Sequence, residues 1–234
     1  MTITSCSHGM PTPASCIDCI DTFDTIRYFQ MSIEAEQRLD GKPVAKARIF
    51  TALGFAHAAY LQGEQPQRKY TGDDYIVHPI EVATILMDEV DQIGHTETIG
   101  EAIVVALLHD VLEDTPITGR QLMNTFGHRT VEHVAHLTDP VYPSFENGGP
   151  NRAGRKNIDA RRLADSPGWI QTIKVADLMS NTRTIVEHDP DFAVTYLAEK
   201  KHLLDVMTEA DPNLRAKAYS QVVNAERSLG VAPG

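Results

Sequence analysis

Apolar residues recur three and four positions apart along most of the chain, and this spacing predicts helices almost throughout. Ala45–Leu61 carries Ile49, Leu53, Ala56 and Tyr60 on one face. Gln62–Asp74 is a polar loop, and Pro79–Ile93 reads as a helix with Pro79 suited to its first turn. Ile99–Glu113 is apolar nearly all round, as a central helix would be. Thr118 is placed to cap a short helix that stops at Phe126 and Gly127, and Thr130–Leu137 follows it. Asp139–Asn151, punctuated by Pro140, Pro143, Gly148, Gly149 and Pro150, reads as a loop. Arg155–Ala164, Trp169–Glu187, Phe192–Ala210 and Asn213–Ser228 complete the helices. The helical pattern begins near Ser32, and residues 1–25 show little periodicity. No alternating strands and no repeat are visible. The expected class is all-α, with an N-terminal Cys/His-rich segment over residues 1–28 and a helical domain over residues 32–230.

Length and composition narrow the possibilities. A chain of 234 residues suffices for one good-sized core with a small appendage. No apolar run approaches the ~20 residues that span a bilayer. The start, MTITSCSHGMPTPASC, lacks a basic region followed by an apolar stretch, so the expected location is the cytoplasm, with no membrane partner. A net charge of −11 argues against coating nucleic acid, which needs clustered Lys and Arg. It leaves room for a small anionic substrate met by local basic residues or by a bound metal.

One short stretch conflicts with simple patterning. In ALLHDVLEDT, Ala106–Thr115, an apolar run is followed at once by His109 and Asp110, then by Glu113 and Asp114. On a continuous helix His109 and Glu113 stand four apart, as do Asp110 and Asp114, so all four share one edge. Like charges this close repel unless a cation joins them. Histidine with carboxylates suits Mn²⁺, Fe²⁺ or Zn²⁺. An ordinary exposed acidic turn explains an isolated HDxxED about equally well. Two further segments bear on the choice. His78 precedes Pro79 in YIVHPIEVA; alone it reads more readily as a capping or core histidine. Asp177 sits in IKVADLMSNTRTI with Asn181 and Thr184 on the same stripe. A carboxylate there needs a metal or a partner such as Lys174 or Arg183.

His78, His109-Asp110 and Asp177 follow the order H…HD…D, and in this the chain resembles the HD metal-dependent phosphohydrolase superfamily. RKYTGDDYIVHPIEVATIL, ALLHDVLEDT and IKVADLMSNTRTI are similar to the hydrolase domain of RelA/SpoT proteins. The compact length and GRKNIDARRLADSPGWIQTIKVAD resemble the stand-alone small alarmone hydrolases. The likeness runs from about Arg48 to Ala210. It implies a multi-helix HD-domain fold and one Mn²⁺ held by His78, His109, Asp110 and Asp177. It also implies removal of the 3′-pyrophosphate of ppGpp and pppGpp to give GDP or GTP. Glu113 and Asp114 match the family's catalytic acidic pair. Asn181 and Thr184 match nucleotide-contacting positions, and Arg68 with Lys69 matches a basic pair that reaches guanine or phosphate. Arg152, Arg155 and Lys156 are further candidates for an anionic substrate, although each alone reads more readily as a solvated helix start.

The chain departs from the family at Leu178, where Arg or Lys usually follows the metal-binding Asp, and in the loop holding Tyr70 and Asp74. These departures motivate a second reading, an HD phosphohydrolase acting on NADPH or nucleoside phosphates. A third reading is a binding module that senses ppGpp; retention of Glu113 and Asp114 argues against it. Nothing resembles a synthetase region.

Cys6, His8, Cys16 and Cys19 form a separate group within the first 20 residues. A Cys₃His set of this kind suits structural Zn²⁺, and a short appendage with little core needs such a staple. Free thiols on a tail are the competing reading. Such a knuckle would support a partner contact or a homo-oligomer.

Overall fold

A computed structural model describes residues 22–91, 93, 99–140 and 150–231. The candidate zinc set Cys6, His8, Cys16 and Cys19 and most of the Asp139–Asn151 loop lie outside the described residues. The elements are α1 (Thr22–Ala35), a 3₁₀ turn (Gln37–Leu39), α2 (Pro43–Tyr60), α3 (Val77–Glu89), α4 (Ile99–Leu108), α5 (Val111–Asp114), α6 (Gly119–Phe126), α7 (His128–Leu137), α8 (Arg152–Ala164), α9 (Gly168–His188), α10 (Pro190–Val206) and α11 (Pro212–Ser228). Among the described residues the β structure amounts to one isolated bridge between Gln67 and Asp74. The all-α expectation holds.

Two helices form the axis of the fold. Every residue of α4 except Glu101 is buried, so it has no solvent face and must be enclosed. It is enclosed by α2, α3, α7 and α9. The 21-residue α9 buries Trp169–Ile173, Val175–Leu178, Ser180 and Thr182, and packs on α3, α10 and α11. Local signals set the helix ends. Thr118 and Gln121 form a reciprocal capping box at α6. Asp189 and Asp211 cap α10 and α11, each followed by Pro at the first helical position. Gly127, at φ 86°, ends α6 in a left-handed conformation that leads straight into α7.

Two expectations need correction. The first concerns the helical pattern expected from about Ser32: among the described residues helix is already present from Thr22. In α1, Phe29 and Ile33 stand four apart and are 3% and 0% exposed, packed in the main core. Phe23, Tyr28 and Met31 are apolar yet exposed, and they blur the periodicity that Phe29 and Ile33 would otherwise show. The second concerns Ile99–Glu113, which is not one helix. His109 Nδ1 bonds the Ala106 carbonyl at 2.7 Å, the kind of helix-end acceptor a side chain can satisfy where the ladder stops. α4 ends at Leu108, and Asp110 becomes the N-cap residue of α5, its carbonyl accepting from the Glu113 and Asp114 amides. Helix α3 also starts two residues ahead of Pro79, which the first turn tolerates because its amides lack intrahelical partners anyway.

Ile33→Ala should cost on the order of 2–5 kcal/mol of stability, because it empties a fully buried site. Met31→Ala, on the exposed face of the same helix, should change it by less than ~0.5 kcal/mol. Urea denaturation of both variants checks this; equal, small effects would mean that α1 does not belong to the cooperative core.

Candidate active site

Three segments meet at one buried point: the start of α3, the break between α4 and α5, and the middle of α9. His78, His109 and Asp177 offer one donor atom each, all within 4.8 Å of one another. Asp110 completes the group. Its Oδ2 lies 3.1 Å from His109 Nε2 and 3.6 Å from His78 Nε2, while Asp177 Oδ1 lies 3.1 Å from His78 Nε2 and 3.8 Å from His109 Nε2. The four residues that the sequence pattern grouped are thus brought together.

The imidazoles carry the main chemical information. Both rings are fully enclosed, and neither Nε2 has a partner with hydrogen-bond geometry, in spite of the nearby carboxylate oxygens. Two buried, unsatisfied nitrogens facing two carboxylates form an N₂O₂ donor set that fits a divalent cation. Without a cation the charges compensate each other. Burial works against the imidazolium of His109, but Asp110 and Asp177 beside it hold its pKa well above the usual value. Burial likewise opposes the charge of Asp177, yet Lys174, with Nζ at 2.8 Å, and the two histidines hold its pKa well below the usual value. A divalent cation would take over the role of these protons, as metal ligands must be deprotonated.

Neighbouring side chains fix the carboxylates. Tyr75 donates its hydroxyl to Asp110 Oδ2 at 2.9 Å, and burial together with Asp110 and Asp114 keeps that phenol protonated. Asn181 donates to Asp177 Oδ1 at 2.7 Å, so a residue expected to face substrate also braces a candidate ligand. Of the two partners the sequence offered for Asp177, Lys174 takes the role, whereas Arg183 bonds Glu81 at 3.1 Å. The Gly63 backbone approaches so closely that a Cβ there would meet the Asp114 carbonyl at 2.4 Å, which fixes the loop after α2 against α5.

Glu113 and Asp114 leave the break on α5 and stand at the exposed rim. Partial loss of hydration, then the Asp110 carboxylate, push Glu113 up to about 7 and raise Asp114; solvent at the rim tempers both shifts. The Asp139 amide donates to Glu113 Oε1.

Beside the buried group lies a cavity of about 160 Å³, lined by Arg68, Lys69, Tyr75, His78, Asn181 and Thr184 among others. The expected basic pair divides into two roles. Arg68 is nearly buried and bonds both Glu81 and Thr184 Oγ1 at 3.1 Å. Lys69 is exposed, over the Tyr70 ring and 3.7 Å from Asp189. Arg152 pairs with Glu199 at 2.6 Å, Arg155 bonds the Pro150 carbonyl, and Lys156 lies 3.6 Å from Asp139; none of them lines the cavity. Leu178 is buried in the core and does not line the cavity either. A wider groove of about 700 Å³ between α9 and α11 includes none of the four grouped residues. The sequence reading did not single out Tyr75, Glu81 or Ser180. Their only local signal is polarity inside apolar runs, since their partners lie far away in the chain.

The HD domain family matches residues 52–202. A Synechocystis protein named probable guanosine-3′,5′-bis(diphosphate) 3′-pyrophosphohydrolase is 29% identical over 79% of this chain and 22% of its own length. An Aquifex aeolicus protein named guanosine-3′,5′-bis(diphosphate) 3′-pyrophosphohydrolase is 35% identical over 65% of this chain and 20% of its own. A Brucella melitensis protein named GTP pyrophosphokinase rsh is 31% identical over 57% of this chain and 17% of its own. The chain spans about a fifth of the length of these curated relatives. A solved structure of a metazoan ortholog of SpoT, described as hydrolysing ppGpp, superposes with a TM-score of 0.63 at 23% identity, over 80% of this chain and 97% of that one, and shares the fold. The family match takes in all four residues that converge at the break after α4, and the chain belongs to the HD domain family.

Proposed function

We propose that this chain hydrolyses the 3′-pyrophosphate of ppGpp and pppGpp, releasing pyrophosphate and GDP or GTP, and that it uses Mn²⁺ held by His78, His109, Asp110 and Asp177. The observation that carries the reading is the pair of buried, unsatisfied Nε2 atoms facing two carboxylates beside a cavity with basic side chains. The names of the relatives support the substrate. When bound, the cation supplies positive charge that acidifies water and offsets the charge of phosphoryl oxygens.

The chain's own residues do the rest. Arg68, Lys69, Asn181 and Thr184 line the cavity and can hold an anionic nucleotide by charge and hydrogen bonds. At about 160 Å³ the cavity is smaller than the ~300–1,000 Å³ usual for small-molecule sites, so it takes one end of the nucleotide while the remainder lies toward the rim. Glu113 and Asp114 stand at that rim. A carboxylate lifted toward neutrality can accept a proton from attacking water and return one to the departing 3′-oxygen. Positioning and charge neutralisation are most of what phosphoryl transfer requires.

Anion-exchange chromatography of ppGpp incubated with the protein and Mn²⁺ should show GDP and pyrophosphate in equal amounts. Intact ppGpp alongside cleavage of NADPH or a nucleoside triphosphate would move the assignment to another nucleotide. Tight ppGpp binding without turnover would instead indicate a sensor.

Asp177→Ala should weaken Mn²⁺ binding on the order of 10²-fold or more, as removing a ligand exceeds the effect of removing a ligand's supporting group. Titration calorimetry measures it, and unchanged affinity would remove Asp177 from the ligand set.

Glu113→Gln should lower kcat by about 10²–10⁴-fold while leaving Mn²⁺ affinity nearly intact. The wild-type rate should rise with pH as Glu113 loses its proton. A bound cation stabilises the carboxylate, so the midpoint should fall between 4.5 and about 7. Loss of that limb in Glu113→Gln identifies its source; an unchanged profile would assign the limb to another group.

A further inference from the structure

We propose that Ser180 and Glu81 are positioning residues: together they hold the proton of His78 on Nδ1, so that Nε2 presents a lone pair to the cation site. The proposal rests on the metal-site reading above and adds two residues to it.

The argument is a count of protons. His78, Ser180 and Glu81 are 2%, 1% and 8% exposed, so water does not complete their hydrogen bonding. Ser180 Oγ lies 2.6 Å from Glu81 Oε2 and 3.0 Å from His78 Nδ1. A hydroxyl has one proton to give and lone pairs to receive with. An ionised carboxylate only accepts. Both oxygens of Glu81 already accept from guanidinium groups, Oε2 from Arg68 and Oε1 from Arg183, each at 3.1 Å. The hydroxyl proton therefore lies between Ser180 and Glu81, in the short, charge-assisted bond. Only lone pairs remain on Oγ toward the ring, so Nδ1 must be the donor. The opposite arrangement, with the hydroxyl donating to Nδ1, would leave two lone-pair oxygens facing each other at 2.6 Å with no proton between them.

The two histidines are thus held in different ways. His109 Nδ1 meets a backbone carbonyl, that of Ala106, which no substitution removes. His78 depends on side chains from α3 and α9, 99 residues apart. That chain of contacts also reaches the cavity, because Arg68, which bonds Glu81, is part of the cavity lining.

The test reads the ring directly. In metal-free protein at alkaline pH, where the imidazole is neutral, ¹⁵N chemical shifts of the two ring nitrogens distinguish the tautomers. His78 should appear as the Nδ1–H form in the wild type. Ser180→Ala and Glu81→Gln should both lose that preference, and Mn²⁺ affinity should fall about 10–100-fold. Ser180→Thr, which restores the hydroxyl, should recover the tautomer and most of the affinity. An Nε2–H form in the wild type would overturn the proposal, as would an unchanged tautomer and an unchanged Mn²⁺ Kd in Ser180→Ala. If Ser180→Ala fails to fold, Glu81→Gln decides by the same two readouts. If the wild type binds no Mn²⁺, the metal-site reading fails, and the ¹⁵N shifts still decide the placement of the proton.

Discussion

Everything near the candidate active site depends on one constraint: two imidazoles and two carboxylates are held close together, with His78, His109 and Asp177 buried and Asp110 largely so. Burying such groups is unfavourable unless each charge and each lone pair finds a partner. The fold meets this by enclosing the group in its most apolar part. Helix α4 brings nine buried residues to the point where His109 and Asp110 begin, and α9 brings Asp177 from a face that is otherwise core. A rigid apolar surround keeps the four side chains close although their charges alone would separate the carboxylates.

The break between α4 and α5 is the local solution to the same constraint. A continuous helix would leave His109, Asp110, Glu113 and Asp114 on one edge, with four ionisable groups in one environment. By closing α4 on its own Ala106 carbonyl, His109 ends the helix and turns its Nε2 inward. Asp110 then starts a new short helix, which carries Glu113 and Asp114 to the rim. His109 and Asp110 go to the buried side and Glu113 and Asp114 to the solvent side, and the titration behaviour of the carboxylates differs accordingly. The buried Asp110 and Asp177 stay ionised because His109 and Lys174 offset their burial, whereas Glu113 and Asp114 lack so close a cation and shift upward. Pairs of carboxylates driven apart in this way are the usual basis for dividing acid–base roles.

Much of this could be read from the sequence, and the limits have physical reasons. Helix positions followed from apolar spacing, and the α6 cap followed from Thr118, because these signals are local. The order of His78, His109, Asp110 and Asp177 was legible because each residue interrupts an apolar run. The extent of α1 was not, because only Phe29 and Ile33 of its apolar residues are fully buried. The helix break was not, because helix periodicity runs on past His109, and what ends the helix is a side-chain hydrogen bond. The link from His78 through Ser180 to Glu81 was least visible of all, since Ser180 lies about a hundred positions from the other two and looks like an ordinary polar residue.

The acidic total of the chain is compatible with the proposed anionic substrate because a basic residue of the cavity, Arg68, is held in place. Arg68 is fixed between Glu81 and Thr184, so its guanidinium faces the cavity with little rotamer entropy left to lose. Glu81 in turn accepts from Arg68, Arg183 and Ser180. The carboxylate that anchors the cavity-lining arginine is therefore the one that we propose orients a candidate metal ligand. A change at Arg68 would alter more than anion binding: it would leave Glu81 with half its cationic support and loosen the hydrogen bond on which the orientation of His78 depends. The proposed substrate pocket and the proposed metal site thus share one buried glutamate.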